Sequence, residues 1–237
     1  MTNHAHIYDT FIVGAGISGI AAAIRLQKVG YNNFKIIEKA NRVGGTWREN
    51  TYPGCACDVP SSLYSYSFAP NPNWSRVFAE QAEIKAYLQK VAHDYGVVPH
   101  IRMQQEMLDA AWDNQQNLWR IKTQDQEYQA RFVIMACGPM HEPVYPNIKG
   151  IEQFKGTIFH SARWRHDYDL TGKRVAVIGT GASAIQFVPK IQPKVAELVL
   201  FQRTPQWILP KLDQALPPIA QKLFKQLPLT QLAMRGA

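Results

Sequence analysis

The N-terminal part of the chain alternates short apolar runs with an amphipathic segment, which is the pattern of an α/β fold. An apolar run at residues 10–13 predicts a buried strand, and residues 20–29 place apolar side chains on one face of a predicted helix. A second apolar run at residues 34–37 predicts the next strand, which is followed by Glu38. The order strand, helix, strand is that of a parallel βαβ unit.

The middle of the chain changes to a glycine-rich stretch and then to alternation of apolar and polar residues. Residues 44–74 are rich in Gly, Pro and Tyr and predict mostly loop, and residues 80–95 predict an amphipathic helix. The alternating residues predict antiparallel strands, so a small antiparallel sheet is expected beside the parallel one. These strands are expected at residues 108–112, 118–123 and 128–136.

A second strand–helix–strand pattern follows a proline-rich stretch at residues 139–146, which predicts a linker. Its strands are expected at residues 174–178 and 198–201, with a helix that ends near Ile191 between them. The predicted fold class is therefore α/β, with two Rossmann-like units on parallel sheets and a small antiparallel sheet.

Composition and charge narrow the function classes. The chain has 237 residues and a net charge of +8, but its basic residues are scattered, which favours phosphate-bearing cofactors over nucleic acid. No apolar run is long enough for a membrane span, and three cysteines without a secretory signal predict the reducing cytoplasm. Cys55 and Cys57 lack a second ligand cluster for a metal and are predicted to be packing residues. Trp164 and Trp207 are also predicted to lie in the core.

Each predicted βαβ unit carries a glycine-rich turn between its first strand and its helix. The turns are Gly-Ala-Gly-Ile-Ser-Gly at residues 14–19 and Gly-Thr-Gly-Ala-Ser-Ala at residues 179–184. Such turns bring a helix N-terminus and close backbone to a pyrophosphate. Glu38 follows the first glycine of the first turn, Gly14, at the same separation along the chain as Arg203 follows Gly179 of the second turn. A carboxylate suits a free ribose 2′-hydroxyl and an arginine suits a 2′-phosphate, so FAD or NAD is expected in the first site and NADPH in the second.

Two further motifs resemble those of a known family. Residues 44–58, which run from Gly-Gly-Thr-Trp through Tyr-Pro-Gly to Asp, resemble the Baeyer–Villiger monooxygenase signature. Residues 154–164 resemble the Phe-x-Gly-x-x-x-His-x-x-x-Trp fingerprint that these enzymes share with related flavin-containing monooxygenases. The resemblance spans residues 8–207, but Arg165 stands where the family usually has Pro or Asp. Because family members are much longer, the chain is expected to be an N-terminal fragment.

The resemblance implies a domain organisation and a reaction. Residues 1–140 are expected to form an incomplete FAD-binding domain, residues 141–172 a linker with the fingerprint, and residues 173–237 an incomplete NADP-binding domain. The implied enzyme is an FAD- and NADPH-dependent monooxygenase that inserts one oxygen atom of O₂ into a small-molecule ketone through a C4a-peroxyflavin. The segment that completes the FAD domain is expected outside the chain, so the isolated chain is expected to be inactive.

The resemblance also implies roles for individual residues. The catalytic residue is Asp58, a neighbour of the FAD that pairs with an arginine expected outside the chain. His160 is implied to act through domain positioning, although a linker histidine bonded to backbone explains it equally well. The FAD contacts are implied at Gly14, Gly16, Ser18, Gly19, Glu38, Gly45, Thr46, Trp47 and Tyr64. The NADP contacts are implied at Thr180, Gly181, Ala182, Ser183, Ala184, Gln186, Arg203 and Thr204.

Three alternatives stay open. An N- or S-oxygenating flavin-containing monooxygenase acts on an amine or sulfide with the same cofactors, although the signature that carries Asp58 favours a ketone. A pyridine-nucleotide disulfide reductase is disfavoured because no Cys-x₄-Cys follows the first nucleotide unit. A non-catalytic, truncated fragment would bind nucleotides and turn nothing over.

Overall fold

The computed structural model describes residues 6–236, and the chain divides into two compact units. As far as they are described, residues 1–48 and 85–140 form the first unit, and residues 49–84 and 141–237 form the second. The segment 49–84 therefore belongs with residues that follow it much later in the sequence.

The first unit is built on one six-stranded mixed sheet. β6 joins its parallel part, which has the order β3-β2-β1-β6, to an antiparallel part with the order β6-β5-β4. The predicted antiparallel strands are confirmed, and they continue the parallel sheet. The strands are β1 (Ile7–Val13), β2 (Phe34–Glu38), β3 (Ile101–Met103), β4 (Met107–Asp113), β5 (Leu118–Thr123) and β6 (Glu127–Met135).

The core of the first unit lies on both faces of the central strand β1. Phe11 and Ile12 point to opposite faces, as neighbours on a strand must, and both are fully buried. Helix α1 (Ile17–Lys28) follows β1 and buries Ile20 and Ile24, which share one helical face. Two further helices are α2 (Thr46–Glu49) and α3 (Gln81–Asp94).

The second unit carries a two-stranded parallel sheet of β7 (Arg174–Ile178) and β8 (Glu197–Phe201). Between these strands lies helix α4 (Ala182–Ile191), which buries Ala184, Phe187 and Ile191. Helices α5 (Pro218–Gln226) and α6 (Pro228–Gly236) follow. The α/β class and both strand–helix–strand units are thus confirmed.

One predicted core residue is exposed. Trp207 is fully accessible, because it follows β8 in a segment without regular structure that leaves its side chain uncovered. The prediction for Trp207 is therefore wrong, whereas Trp164 is half-buried and packs against Phe187, with ring centroids 5.2 Å apart.

Among the described residues, no helix has the length and hydrophobicity needed to cross a bilayer.

Candidate functional site

The first glycine-rich turn joins β1 to α1 through contacts that only glycine allows. Gly14 has a φ of +103°, and a Cβ there would lie 2.6 Å from the carbonyl oxygen of Ala136. A Cβ on Gly19 would lie 1.9 Å from the carbonyl oxygen of Gly14. The amide of Gly14 donates to the carbonyl of Ile37 on β2 at 2.8 Å. Gly14 and Gly19 are therefore required by the packing of strand, turn and helix.

Gly16 serves a different purpose in the same turn. It is the N-cap of α1 with a φ of −83°, and a glycine offers no side-chain oxygen to the amides of the first helical turn. A Cβ on Gly16 would approach only Gly45, at 3.5 Å from its Cα, which is an ordinary contact. The backbone thus leaves room at a helix N-terminus where a side chain would otherwise stand, and this cradle fits a pyrophosphate.

The loop after β2 returns to this turn. The amide of Gly44 donates to the carbonyl of Ala15 at 3.1 Å, and Gly45 has a φ of +51° beside Gly16. Thr46 and the buried Trp47 follow in α2. The structure therefore brings the predicted contacts at residues 45–47 to the predicted pyrophosphate site. Tyr64, by contrast, lies half-buried in the second unit.

The carboxylate of Glu38 is buried at the carboxyl end of β2, where a ribose is expected. Its Oε2 accepts the amide of Ala15 at 2.9 Å, and its Oε1 accepts the amide of Ala40 at 2.9 Å. Arg48 on α2 places Nη1 3.0 Å from Oε1. Sequence reasoning missed Arg48, because nothing in the local pattern connects residue 48 with residue 38.

The second glycine-rich turn repeats the backbone geometry of the first. Gly179 has a φ of +104°, and its amide donates to the carbonyl of Phe201 on β8 at 2.9 Å. Gly181 is the N-cap of α4 with a φ of −71°, and the buried Ala184 takes the third small position. A Cβ on Gly179 or Gly181 would meet no atom within 4 Å among the described residues. The turn is therefore open at the place where a second pyrophosphate is predicted.

The end of β8 differs from the end of β2 in charge. Arg203 is exposed two residues after β8, and within the described chain its side chain has no ion pair or hydrogen bond. The Nε2 of Gln202 donates to Oγ1 of Thr180 at 3.0 Å, which ties the strand end to the glycine-rich turn. This guanidinium is therefore available to a 2′-phosphate.

The predicted catalytic Asp58 is held by two side chains of the second unit. Gln186 on α4 donates from Nε2 to Oδ1 of Asp58 at 3.0 Å, and Nζ of Lys211 lies 3.4 Å from the same oxygen. Gln186 also accepts hydrogen bonds from the hydroxyl of Tyr52 and the amide of Ala56. Its side chain thus anchors the loop that carries Asp58. Its role as an NADP contact stays a prediction.

The fingerprint segment packs within the second unit. His160 accepts the amide of Ala162 at Nδ1, 3.1 Å away, and so caps the short helical turn Ser161–Arg163. Burial, followed by the charge of Arg163, lowers the pKa of His160 below its usual value. Trp164 contacts Phe187 of α4. The hydrogen bond to the amide of Ala162 is the backbone contact of a linker histidine, and the domain-positioning role of His160 stays a prediction.

Cys55 and Cys57 are buried and free, which confirms them as packing residues. Burial raises the pKa of both thiols, whereas a reactive thiol requires a lowered one. Within residues 6–236, no cluster of His, Cys, Asp and Glu has an arrangement that suits a metal ion.

Comparisons with known proteins show which proteins the whole chain resembles. A family model described as pyridine nucleotide-disulphide oxidoreductase matches residues 11–235. A Baeyer–Villiger monooxygenase of Streptomyces coelicolor is 50% identical over 239 residues, which cover 100% of this chain and 46% of that protein. One of Pseudomonas aeruginosa is 52% identical over 226 residues, which cover 95% of this chain and 43% of that protein.

The solved structures show the same similarity. The OTEMO complex with FAD and NADP matches with a TM-score of 0.87 at 35% identity, over 95% of this chain and 44% of that one. The chain spans under half the length of the curated relatives named above. The resemblance inferred from the two motifs is confirmed.

Proposed function

The chain belongs to the pyridine nucleotide-disulphide oxidoreductase family, and we propose that it forms the nucleotide-binding part of an FAD- and NADPH-dependent monooxygenase of Baeyer–Villiger type. One observation carries the proposal. Two glycine-rich turns share one backbone geometry, but a buried carboxylate, Glu38, stands by the first and an exposed guanidinium, Arg203, by the second. Two relatives that are named Baeyer–Villiger monooxygenase support the proposal, and so does a similar solved structure that holds FAD and NADP.

The first site is proposed to bind FAD and the second NADPH. The turn at residues 14–19 and Glu38 hold the pyrophosphate and ribose of FAD, and residues 45–47 line the flavin. Tyr64 is proposed as a further FAD contact. The turn at residues 179–184, with Arg203 and Thr204, holds NADPH. When bound, FAD supplies the reaction with O₂ and NADPH supplies the hydride, while the protein binds, orients and excludes water.

In this proposal, Asp58 is the residue that favours oxygenation of a ketone over oxygenation of an amine or sulfide. A carboxylate that holds a guanidinium beside the reacting atoms suits an oxygen insertion into a ketone, in which negative charge develops on oxygen. The hydrogen bond from Gln186 fixes the direction of Oδ1 of Asp58. We therefore favour a ketone over an amine or sulfide as the substrate class.

Dithiol chemistry is the competing activity within the family, and the cysteines argue against it. Burial raises the pKa of both Cys55 and Cys57, so thiolates are disfavoured there at neutral pH. All three cysteines are free, which fits a reducing compartment such as the cytoplasm.

The proposal is tested by ligand titration of the 237-residue chain. FAD is added first, and binding is followed by the quenching of flavin fluorescence; NADP⁺ and NAD⁺ are then titrated calorimetrically. We expect one FAD per chain and a preference for NADP⁺ over NAD⁺ of about tenfold or more, since a charged hydrogen bond contributes about 1.5–3 kcal/mol. Absence of FAD binding, or equal affinity for the two coenzymes, contradicts the proposal.

A further inference from the structure

Arg48 is a nearly buried cation to which the proposed function assigns no role. Its side chain is 11% exposed, and its Nη1 lies 3.0 Å from Oε1 of Glu38, whose side chain is 5% exposed. The same nitrogen donates to the carbonyl of Arg42 at 2.6 Å. A buried charge is tolerated where a partner compensates it, so Arg48 and Glu38 stabilise each other in this site.

The loop after β2 delivers Arg48 to this position. The amide of Arg48 donates to the carbonyl of Gly45 at 2.9 Å, which closes the tight turn into α2. Gly44 has a φ of +133°, and a Cβ there would lie 3.2 Å from Cβ of Arg48. The glycine pair therefore both permits the turn and leaves space for the arginine side chain.

The hydrogen bonds of Glu38 show what this contact does. An ionised carboxylate offers about four acceptor positions, two on each oxygen. Oε1 receives the amide of Ala40 and the guanidinium of Arg48, so its positions are filled. Oε2 receives only the amide of Ala15 among the hydrogen bonds of the described chain. One acceptor position on Oε2 is therefore left for a ligand.

We propose that Arg48 is a positioning residue for the dinucleotide of the first site, which holds Oε1 of Glu38 so that Oε2 faces a ribose hydroxyl. The inference rests on the proposed function, because it takes FAD as the ligand of this site. Arg48 acts through Glu38 and supplies the countercharge that lets the carboxylate stay buried before the ligand arrives. The loop that is proposed to line the flavin thereby also organises the recognition of the ribose.

The test is a double-mutant cycle on FAD affinity in the full chain, measured by flavin fluorescence quenching. The variants are Arg48→Met, Glu38→Gln and the two combined, with Arg48→Lys as the conservative change and exposed Arg42→Met as the matched control. We expect Arg48→Met and Glu38→Gln each to weaken FAD binding about tenfold. In the Glu38→Gln background, Arg48→Met should weaken it by less than about twofold further. Arg48→Lys should recover part of the loss, and Arg42→Met should change nothing.

Three outcomes overturn the inference. If FAD affinity is unchanged in both Arg48→Met and Arg48→Lys, Arg48 does not position the ligand, although the FAD site itself remains supported. An equal loss from Arg48→Met with and without Glu38→Gln indicates a general structural effect, which thermal unfolding of the same variants would also show. Failure of the unaltered chain to bind FAD overturns the proposed first site and this inference together. If Arg48→Met does not fold, the partial loss expected for Arg48→Lys carries the test.

Discussion

At the scale of single residues, two glycines of the first turn are expected to serve different purposes: Gly16 serves ligand binding and Gly19 serves folding. A methyl group on Gly19 would clash with the carbonyl of Gly14 at 1.9 Å, whereas one on Gly16 meets only Gly45 at 3.5 Å. We expect Gly19→Ala to destabilise the protein by about 1–3 kcal/mol or more, as overpacking does. Gly16→Ala should keep the unfolding midpoint and weaken FAD binding about tenfold or more, because the methyl group occupies the pyrophosphate cradle. Thermal unfolding and FAD titration of both variants check this pair, and normal FAD affinity in Gly16→Ala would contradict it.

Arg203 is the residue on which coenzyme choice depends. Because its guanidinium is exposed and makes no ion pair within the described chain, it is available to a 2′-phosphate. Arg203→Ala should weaken NADP⁺ binding about tenfold or more and leave NAD⁺ binding nearly unchanged. Calorimetric titration of both coenzymes measures the difference, with Arg174→Ala as the control because Arg174 pairs with Glu197 at 2.7 Å. Equal losses for the two coenzymes would remove Arg203 from the site.

At the scale of elements, helix α4 holds the loop that carries Asp58. The side chain of Gln186 donates to Asp58 and to the carbonyl of Ala56, and it accepts from Tyr52. Gln186→Met leaves these groups without their partner and should lower the free energy of unfolding by about 1–3 kcal/mol. Urea denaturation measures this loss. Gln192→Met, an exposed glutamine at the end of the same helix, is the matched control and should have no effect.

The turn capped by His160 predicts a pH dependence. Its Nδ1 accepts the amide of Ala162, and burial lowers the pKa of His160 below its usual value of 6.5. The unfolded chain therefore binds a proton at higher pH than the folded chain does. The stabilisation from neutral His160 is complete above about pH 7 and is lost as the pH falls through 6.5 toward the lowered pKa.

The matched variant for this pH dependence is His160→Asn, which keeps an acceptor for the cap and does not titrate. Its free energy of unfolding should fall less steeply between about pH 7 and pH 5 than that of the unaltered protein. Urea denaturation at several pH values gives the two slopes. Identical slopes would show that His160 contributes nothing to the acid sensitivity.

At the scale of the whole molecule, the second unit exposes much apolar surface. Its two-stranded sheet has unpaired edges among the described residues, and its strands expose Leu200 and Phe201. Helix α5 exposes Ile219 and Leu223. We expect the chain to self-associate at micromolar concentration, which multi-angle light scattering measures. Ile219→Gln with Leu223→Gln should reduce the association, and Lys222→Gln on the same helix should not.

The expectation that the isolated chain has no monooxygenase activity stays a prediction. The chain spans 46% of the Streptomyces coelicolor relative. Among the described residues, the side-chain partners of Asp58 are Gln186 and Lys211 and not an arginine. With FAD, NADPH and a cyclic ketone, we expect no ester or lactone. Gas chromatography of the products checks this, and coupled lactone formation would contradict it.

Features that depend on neighbours along the chain could be predicted from the amino-acid sequence. The bounds of β5 and β7 were predicted to the residue, and those of α1, β2 and β8 to within a few residues, since hydrophobic period and glycine turns are local signals. The opposite charges of Glu38 and Arg203, at equal separations from their glycine-rich turns, could be read from the sequence for the same reason. The family resemblance followed from two continuous motifs.

Features that join residues far apart in the sequence became visible only in the folded chain. It placed the unpredicted strand β3 beside β2, joined the antiparallel strands to the parallel sheet through β6, and grouped residues 49–84 with the second unit. It set Arg48 against Glu38 and Gln186 against the loop of Asp58, and it left Trp207 exposed. None of these follows from a local period, because strand order, burial and the partner of a charge depend on which segments pack together in space.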